Sequence, residues 1–163
     1  MKKFIFVSIL LFIAGASCKK MNPDDGGACG CSPATKQDMY LVIRNSAGAD
    51  LLNQSTAGYY PKDKIELYRK DAEGKSVPIT FYITPPFSYG NEKFNLNQLY
   101  ITDLALFIKT PDDALYLKLG DSSPFELKVS IVGGTVEKLL VDKKEAERDK
   151  PTANYVSLFY LSK

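Results

Sequence analysis

Apolar and polar side chains alternate along most of the chain beyond residue 38. Met39, Leu41 and Ile43 alternate with Tyr40, Val42 and Arg44, and Leu115, Leu117 and Leu119 with Tyr116 and Lys118. Phe125, Leu127, Val129 and Ile131 alternate with Glu126, Lys128 and Ser130. A period of two places each set on one face of an extended strand, with one face for a core and the other for water. Residues 65–69 and 77–84 read the same way. Residues 99–109 are apolar on both faces over most of their length, which predicts a central strand. Residues 154–161 share that character and are expected to close the core.

Turn chemistry supports these assignments. Gly120-Asp121-Ser122-Ser123-Pro124 separates two well-patterned strands, Gly133-Gly134 separates two more, and Asp71-Ala72-Glu73-Gly74-Lys75 fits a third connection. Such breaks between alternating runs are those of antiparallel hairpins. About seven or eight short strands at this spacing predict an all-β fold, an antiparallel β-sandwich of broadly immunoglobulin-like kind. Residues 135–150 are ambiguous, because Val136, Leu139 and Leu140 have helical spacing and Pro151 would stop a helix. A strand over residues 135–141, followed by a charged turn, is the expectation.

The front of the chain follows a different rule. Lys2 and Lys3 precede thirteen uncharged, strongly apolar residues, 4–16, and then Ser17. A bilayer-spanning helix needs about 20 apolar residues. A basic start, a short apolar middle and small residues at the end are the layout of a secretory signal peptide, here residues 1–17.

Gly15-Ala16-Ser17-Cys18 resembles the bacterial lipobox, in which small residues precede a cysteine that becomes the lipidated N-terminus. The position three before that cysteine, often Leu, is Gly15 here. The resemblance implies cleavage before Cys18, a diacylglycerol on its thiol (palmitate being a usual acyl chain) and anchoring of the chain to a bacterial cell-envelope membrane, the outer membrane by expectation. Two acyl chains suffice for stable anchoring. Residues 18–37 are then a lipidated tether, rich in Lys, Asp, Gly, Pro, Ser and Asn, and residues 38–163 a single domain. A coil of that length would hold the domain about 25 Å from the membrane on average. Asp24-Asp25-Gly26-Gly27 reads as a solvated spacer, or as an acidic surface-sorting signal of the Bacteroidetes type.

Removing residues 1–17 lowers the 21 Lys and Arg to 19, against 19 Asp and Glu. With no net positive charge, nucleic acid is not an expected partner. Membrane association through the lipid is expected, and a protein or glycan partner stays open.

The stretch 48–69, GADLLNQSTAGYYPKDKIELYR, resembles a pattern in small single-domain lipoproteins of Bacteroidetes-type bacteria. There an Asp-Leu-Leu step and a Tyr-containing loop precede a strand of Ile-x-Leu-Tyr type. The resemblance implies location and fold, marks a structural corner, and supplies no active site.

Candidate chemistry is sparse. The chain has no histidine, which removes Ser-His-Asp and Cys-His arrangements and the usual general base near neutral pH. No phosphate loop, dinucleotide fingerprint or calcium loop occurs. No catalytic residue, metal ligand set or cofactor is assigned. Asp112 and Asp113, with Asp121, are the acids a calcium ion would need, and turn formation after Pro111 is their simpler use. Cys29 and Cys31 are candidates for a local disulfide in an oxidising compartment; pairing with another molecule and two free thiols are the alternatives. Tyr59 and Tyr60 in one loop, and Phe87 and Tyr89 in another, are candidate ligand-contact residues, because aromatic rings on sandwich loops stack on sugars or partner side chains. Their other use is to cover the ends of the sandwich. The reading is a lipid-anchored binding or structural module rather than an enzyme. A small carboxylate-based or metal-dependent envelope hydrolase is the alternative.

Overall fold

The computed structural model describes residues 37–89, 91–153 and 156–163. Cys18, Cys29, Cys31, the apolar run and the tether through residue 36 lie outside the described residues, while Gln37, expected in the tether, is part of the fold. In chain order the strands are β1 (Met39–Arg44), β2 (Ile65–Lys70), β3 (Ser76–Pro78), β4 (Tyr82–Thr84), β5 (Phe87–Tyr89), β6 (Glu92–Phe94), β7 (Gln98–Ile101), β8 (Leu115–Leu119), β9 (Phe125–Val132), β10 (Thr135–Val141), β11 (Lys144–Glu145), β12 (Glu147–Arg148) and β13 (Leu158–Ser162). Seven of these have four or more residues, and all but β7 correspond to a strand read from periodicity; the other six are short pieces.

Two sheets carry the core. One has the order β12-β13-β1-β7-β4 and the other β11-β10-β9-β8-β2-β3. Their facing sides interdigitate: Met39, Leu41, Ile43, Leu99, Ile101, Phe159 and Leu161 from the first meet Ile65, Leu67, Leu115, Leu117, Leu119, Leu127 and Leu139 from the second. This is the β-sandwich that the alternation demands, since each strand has one apolar face and needs a second sheet to bury it. The strand pairs are antiparallel except for β1 with β13, which run parallel from Tyr40–Leu158 to Arg44–Ser162.

The ambiguous segment after Thr135 is β10, as expected, and the register explains its helix-like spacing. Between Val136 and Lys138 the pairing with β9 shifts by one residue. A bulge of that kind changes which side chains share a face. Val136 and Leu139, three apart, therefore both enter the core.

Two expected strands are corrected. Residues 99–109 are not one central strand: β7 ends at Ile101, Asp103 adopts a left-handed φ of 54°, and Leu104–Leu106 forms a 3-10 turn. Asp tolerates that conformation better than most residues. The two-faced apolarity arises because Leu104 is fully buried below the turn while Phe107 and Ile108 pack against the core from its edge. Residues 77–84 are also not one strand. They split into β3 in one sheet and β4 in the other, with Ile79 and Phe81 buried at the crossing. Pro78 sits on edge strand β3, where a missing N–H is tolerated.

The registers define two ends. Gln37 and the start of β1 lie beside the end of β7, and Gln37 O accepts a 3.0 Å bond from Leu104 N. The β9–β10 tip, Val132 to Thr135, is at this end, since Gln37, Ala105 and Ile131 line one groove. At the opposite end are the end of β1, the start of β2 and the end of β8, where Gly120 N bonds Lys64 O at 2.7 Å.

Candidate functional site

The Tyr59 end is built by a corner that starts where β1 stops. Asn45 Oδ1 accepts bonds from Ala47 N at 3.0 Å and Ala49 N at 2.9 Å, turning the chain back. Asp50 then bridges to Arg44, Leu51 N bonds Ile43 O, and Leu51 O accepts from Tyr60 N at 2.8 Å. Leu51 and Leu52 are buried below the loop that runs to Tyr60. The Asp-Leu-Leu step is thus a clamp: two leucines enter the core and the carboxylate pins the loop.

Asp50 is only 6% exposed. Its Oδ1 accepts from Leu52 N at 2.8 Å, and its Oδ2 accepts from Asn97 N at 2.8 Å and Asn97 Nδ2 at 2.7 Å. Three donors on one buried carboxylate satisfy it without a cation, which is the condition for leaving a charge out of water. The pairing joins the corner to the segment before β7. Sequence pattern did not single out Asp50 or Asn97 as partners, because they are 47 residues apart.

Over this frame lies a cleft of about 350 Å³ lined by Asn53, Gln54, Tyr59, Tyr60, Lys62 and Asn97, among others. Tyr59 is 39% exposed. Tyr60 is half-buried; its ring lies 3.4 Å from where a Cβ on Gly120 would stand, and Gly120 has a φ of 59°. The left-handed φ favours glycine there, while the ring's distance would be ordinary contact for a Cβ. Lys163 Nζ sits 4.7 Å above the Tyr60 ring and also donates to its hydroxyl. Lys62 Nζ lies 5.8 Å from the Phe81 and Tyr82 rings. The cleft is therefore lined by two tyrosines, carboxamides and an ammonium, with Lys163 set over the Tyr60 ring, a largely polar set able to donate and accept hydrogen bonds.

The second aromatic segment is placed differently. Phe87 and Tyr89 are not on a loop: they begin and end β5, which pairs with β6 as a separate hairpin. The hairpin lies on the outer face of the five-stranded sheet. Phe94 and Phe87 pack there with Tyr40, Val42, Leu158 and Tyr160 as a second, smaller apolar cluster. Phe87 is 5.9 Å from the Tyr40 ring and 5.6 Å from Phe94. Only the backbone of Tyr89 is described. A face that would have exposed Val42 and Leu158 is thus covered by the chain itself, and Phe87 is one of the covering side chains.

A row of rings continues across that face. Tyr40 and Tyr100 stack at 4.6 Å, and Tyr82 stands 6.4 Å from Tyr100. Tyr100 donates to Asp38 and Tyr160 donates to Asp149, each at 2.6 Å. Burial, and then the carboxylate that each hydroxyl bonds, push both phenols well above the ordinary tyrosine range. Both hydroxyls are held in place by their carboxylate partners.

The acids do not gather. Asp113 Oδ2 accepts from Thr110 N at 2.7 Å and Lys109 N at 2.8 Å, and these backbone bonds hold its carboxyl below the usual range. That is the turn-forming use. Asp113 precedes β8 and Asp121 follows it, so the strand's length, about 15 Å, separates them. Among the described residues no three Asp, Glu, His or Cys side chains are arranged to hold a metal ion. Three clefts among the described residues are lined by neither Asp nor Glu.

Comparison with protein-family models, with curated proteins and with solved structures finds no match for the chain.

Proposed function

We propose that the protein is a lipid-anchored β-sandwich of the bacterial cell envelope, held at the outer membrane through Cys18, and that it acts as a binding module. The observation that carries this reading is the placement of the Tyr59–Tyr60 cleft at the end of the sandwich opposite Gln37, where the chain from Cys18 arrives. A module tethered at one end has its other end free to meet a ligand. The lining favours a glycan chain: tyrosine faces stack on the apolar faces of sugar rings, and Asn and Gln carboxamides both donate to and accept from sugar hydroxyls. The hydrolase alternative has less support, because a glycosidase needs two facing carboxylates and the described clefts supply none.

Two measurements test the proposal. Metabolic labelling with radioactive palmitate should mark the wild-type chain and leave Cys18→Ala unlabelled; equal labelling of the two ends the anchor reading. A glycan array probed with the wild-type protein should give specific signals that fall at least tenfold in Tyr59→Ala. No signal, or signals unchanged in the variant, would remove glycan binding at this cleft.

A further inference from the structure

We infer that the Gln37 end of the sandwich rests on the bilayer and dips Leu106 and Val132 into its interfacial layer, so that the partner of this surface is a neutral lipid surface. The inference rests on the proposed lipid anchor at Cys18. Four large hydrophobic side chains are exposed among the described residues, and two of them are aliphatic: Leu106 at 67% and Val132 at 65%. Single exposed aliphatic residues are ordinary. Here both belong to the end at which the chain from Cys18 enters the fold: Leu106 follows Ala105 and Val132 follows Ile131, two residues that line a groove of about 400 Å³ together with Gln37, Ile108 and Pro111.

Both side chains are presented on fixed supports. Leu106 ends the 3-10 turn whose first residue, Leu104, is fully buried, and its neighbours Phe107 and Ile108 pack against the core. Val132 ends β9 just before Gly133 and Gly134, which have φ values of 58° and 83°. Two successive positive φ values make the tight hairpin turn that lets a strand tip project. Lys109, Asp103 and Asp112 are exposed around the same end, so neither charge sign dominates and apolar contact is the available attraction.

The length of chain before the domain makes weak contacts sufficient. Eighteen residues separate Cys18 from Gln37, a distance of at most about 65 Å if fully extended. A domain held that close to a surface meets it at high effective concentration, and two small apolar contacts then shift the balance toward the docked state.

The chain contains no Trp, which gives a direct test. Single variants Leu106→Trp, Val132→Trp and Tyr59→Trp are made in the full lipidated chain and reconstituted into phosphatidylcholine vesicles with or without brominated acyl chains. Bromine quenches indole only at short range. Quenching of Leu106→Trp and Val132→Trp at least twofold greater than that of Tyr59→Trp is the expected result. Chains that float with the vesicles but show equal quenching at all three positions overturn this inference alone and leave the anchor standing. Chains that do not float remove the anchor reading and this inference with it. Protection of the two indoles through a dimer in detergent, with no added quenching by brominated lipid, assigns the surface to a second copy of the chain and also overturns it.

Discussion

The two ends of this sandwich are made from the same strands and finished in different ways. At the Gln37 end the connection after β7 is anchored by burial, with Leu104 at 0% exposure in a 3-10 turn that leaves Leu106 outside, and by bonds to the Asp38 and Asp113 carboxylates. At the Tyr59 end a longer loop is secured by hydrogen bonds converging on one buried carboxylate, Asp50, and it carries tyrosines and carboxamides to the surface. One end shows water aliphatic side chains on rigid supports, and the other shows rings with polar groups between them. The core fixes neither choice, since both ends close on the same leucine-rich interior. Loops carry function and strands carry stability, and here each set of loops is suited to a different contact.

The sharpest separation of the two ends comes from removing their supports. Leu104→Ala should destabilise the protein by about 3 kcal/mol in denaturant titration, the usual range for a fully buried leucine. Asp50→Ala should cost about 2 kcal/mol, because it leaves the amides of Leu52 and Asn97 buried without their acceptor. It should also speed amide exchange at those two residues while leaving residues 104–108 protected. Loss of protection at both ends together would show that the ends are not independently secured.

Alkaline pH probes the Gln37 end through Tyr100 and Asp38. The folded protein holds the Tyr100 proton above its ordinary range, whereas the unfolded chain releases it near pH 10. The stabilisation is therefore complete below about pH 10 and is lost as pH rises beyond it. Thermal melts from pH 8 to 11 should show the wild type losing stability more steeply than Tyr100→Phe, and identical slopes would contradict the bond's role. The smallest effects are expected at the proposed contact surfaces. Tyr59→Ala and Leu106→Ser should each change unfolding free energy by less than about 0.5 kcal/mol, because neither side chain fills the core. A larger shift in either would mark it as structural.

Much of this was readable in the sequence where a strand has one wet and one dry face. Leu115, Leu117 and Leu119, or Met39, Leu41 and Ile43, announce their strands because nothing but the core acts on them. The reading failed where a second influence entered. Residues 99–109 are apolar on both sides because a turn folds part of them beneath itself, and Asp103, not a hydrophobic residue, marks the break. Phe87 was legible as an aromatic near prolines, but its burial depends on an outer sheet face formed by strands distant in the chain. Tyr59 and Tyr60 stand out in the sequence as aromatics on a loop, whereas the Asp50–Asn97 pairing that holds their loop links residues with no local signal between them.

The most direct test of the contrast is amide hydrogen exchange on the full chain carrying the proposed lipid anchor, compared in detergent and in phosphatidylcholine vesicles. Transfer to vesicles should slow exchange across residues 104–111 and 132–134 and leave residues 53–62 unchanged. Slowing at residues 53–62, or equal slowing at both ends, would contradict the division of the sandwich into a membrane-facing end and a ligand-facing end.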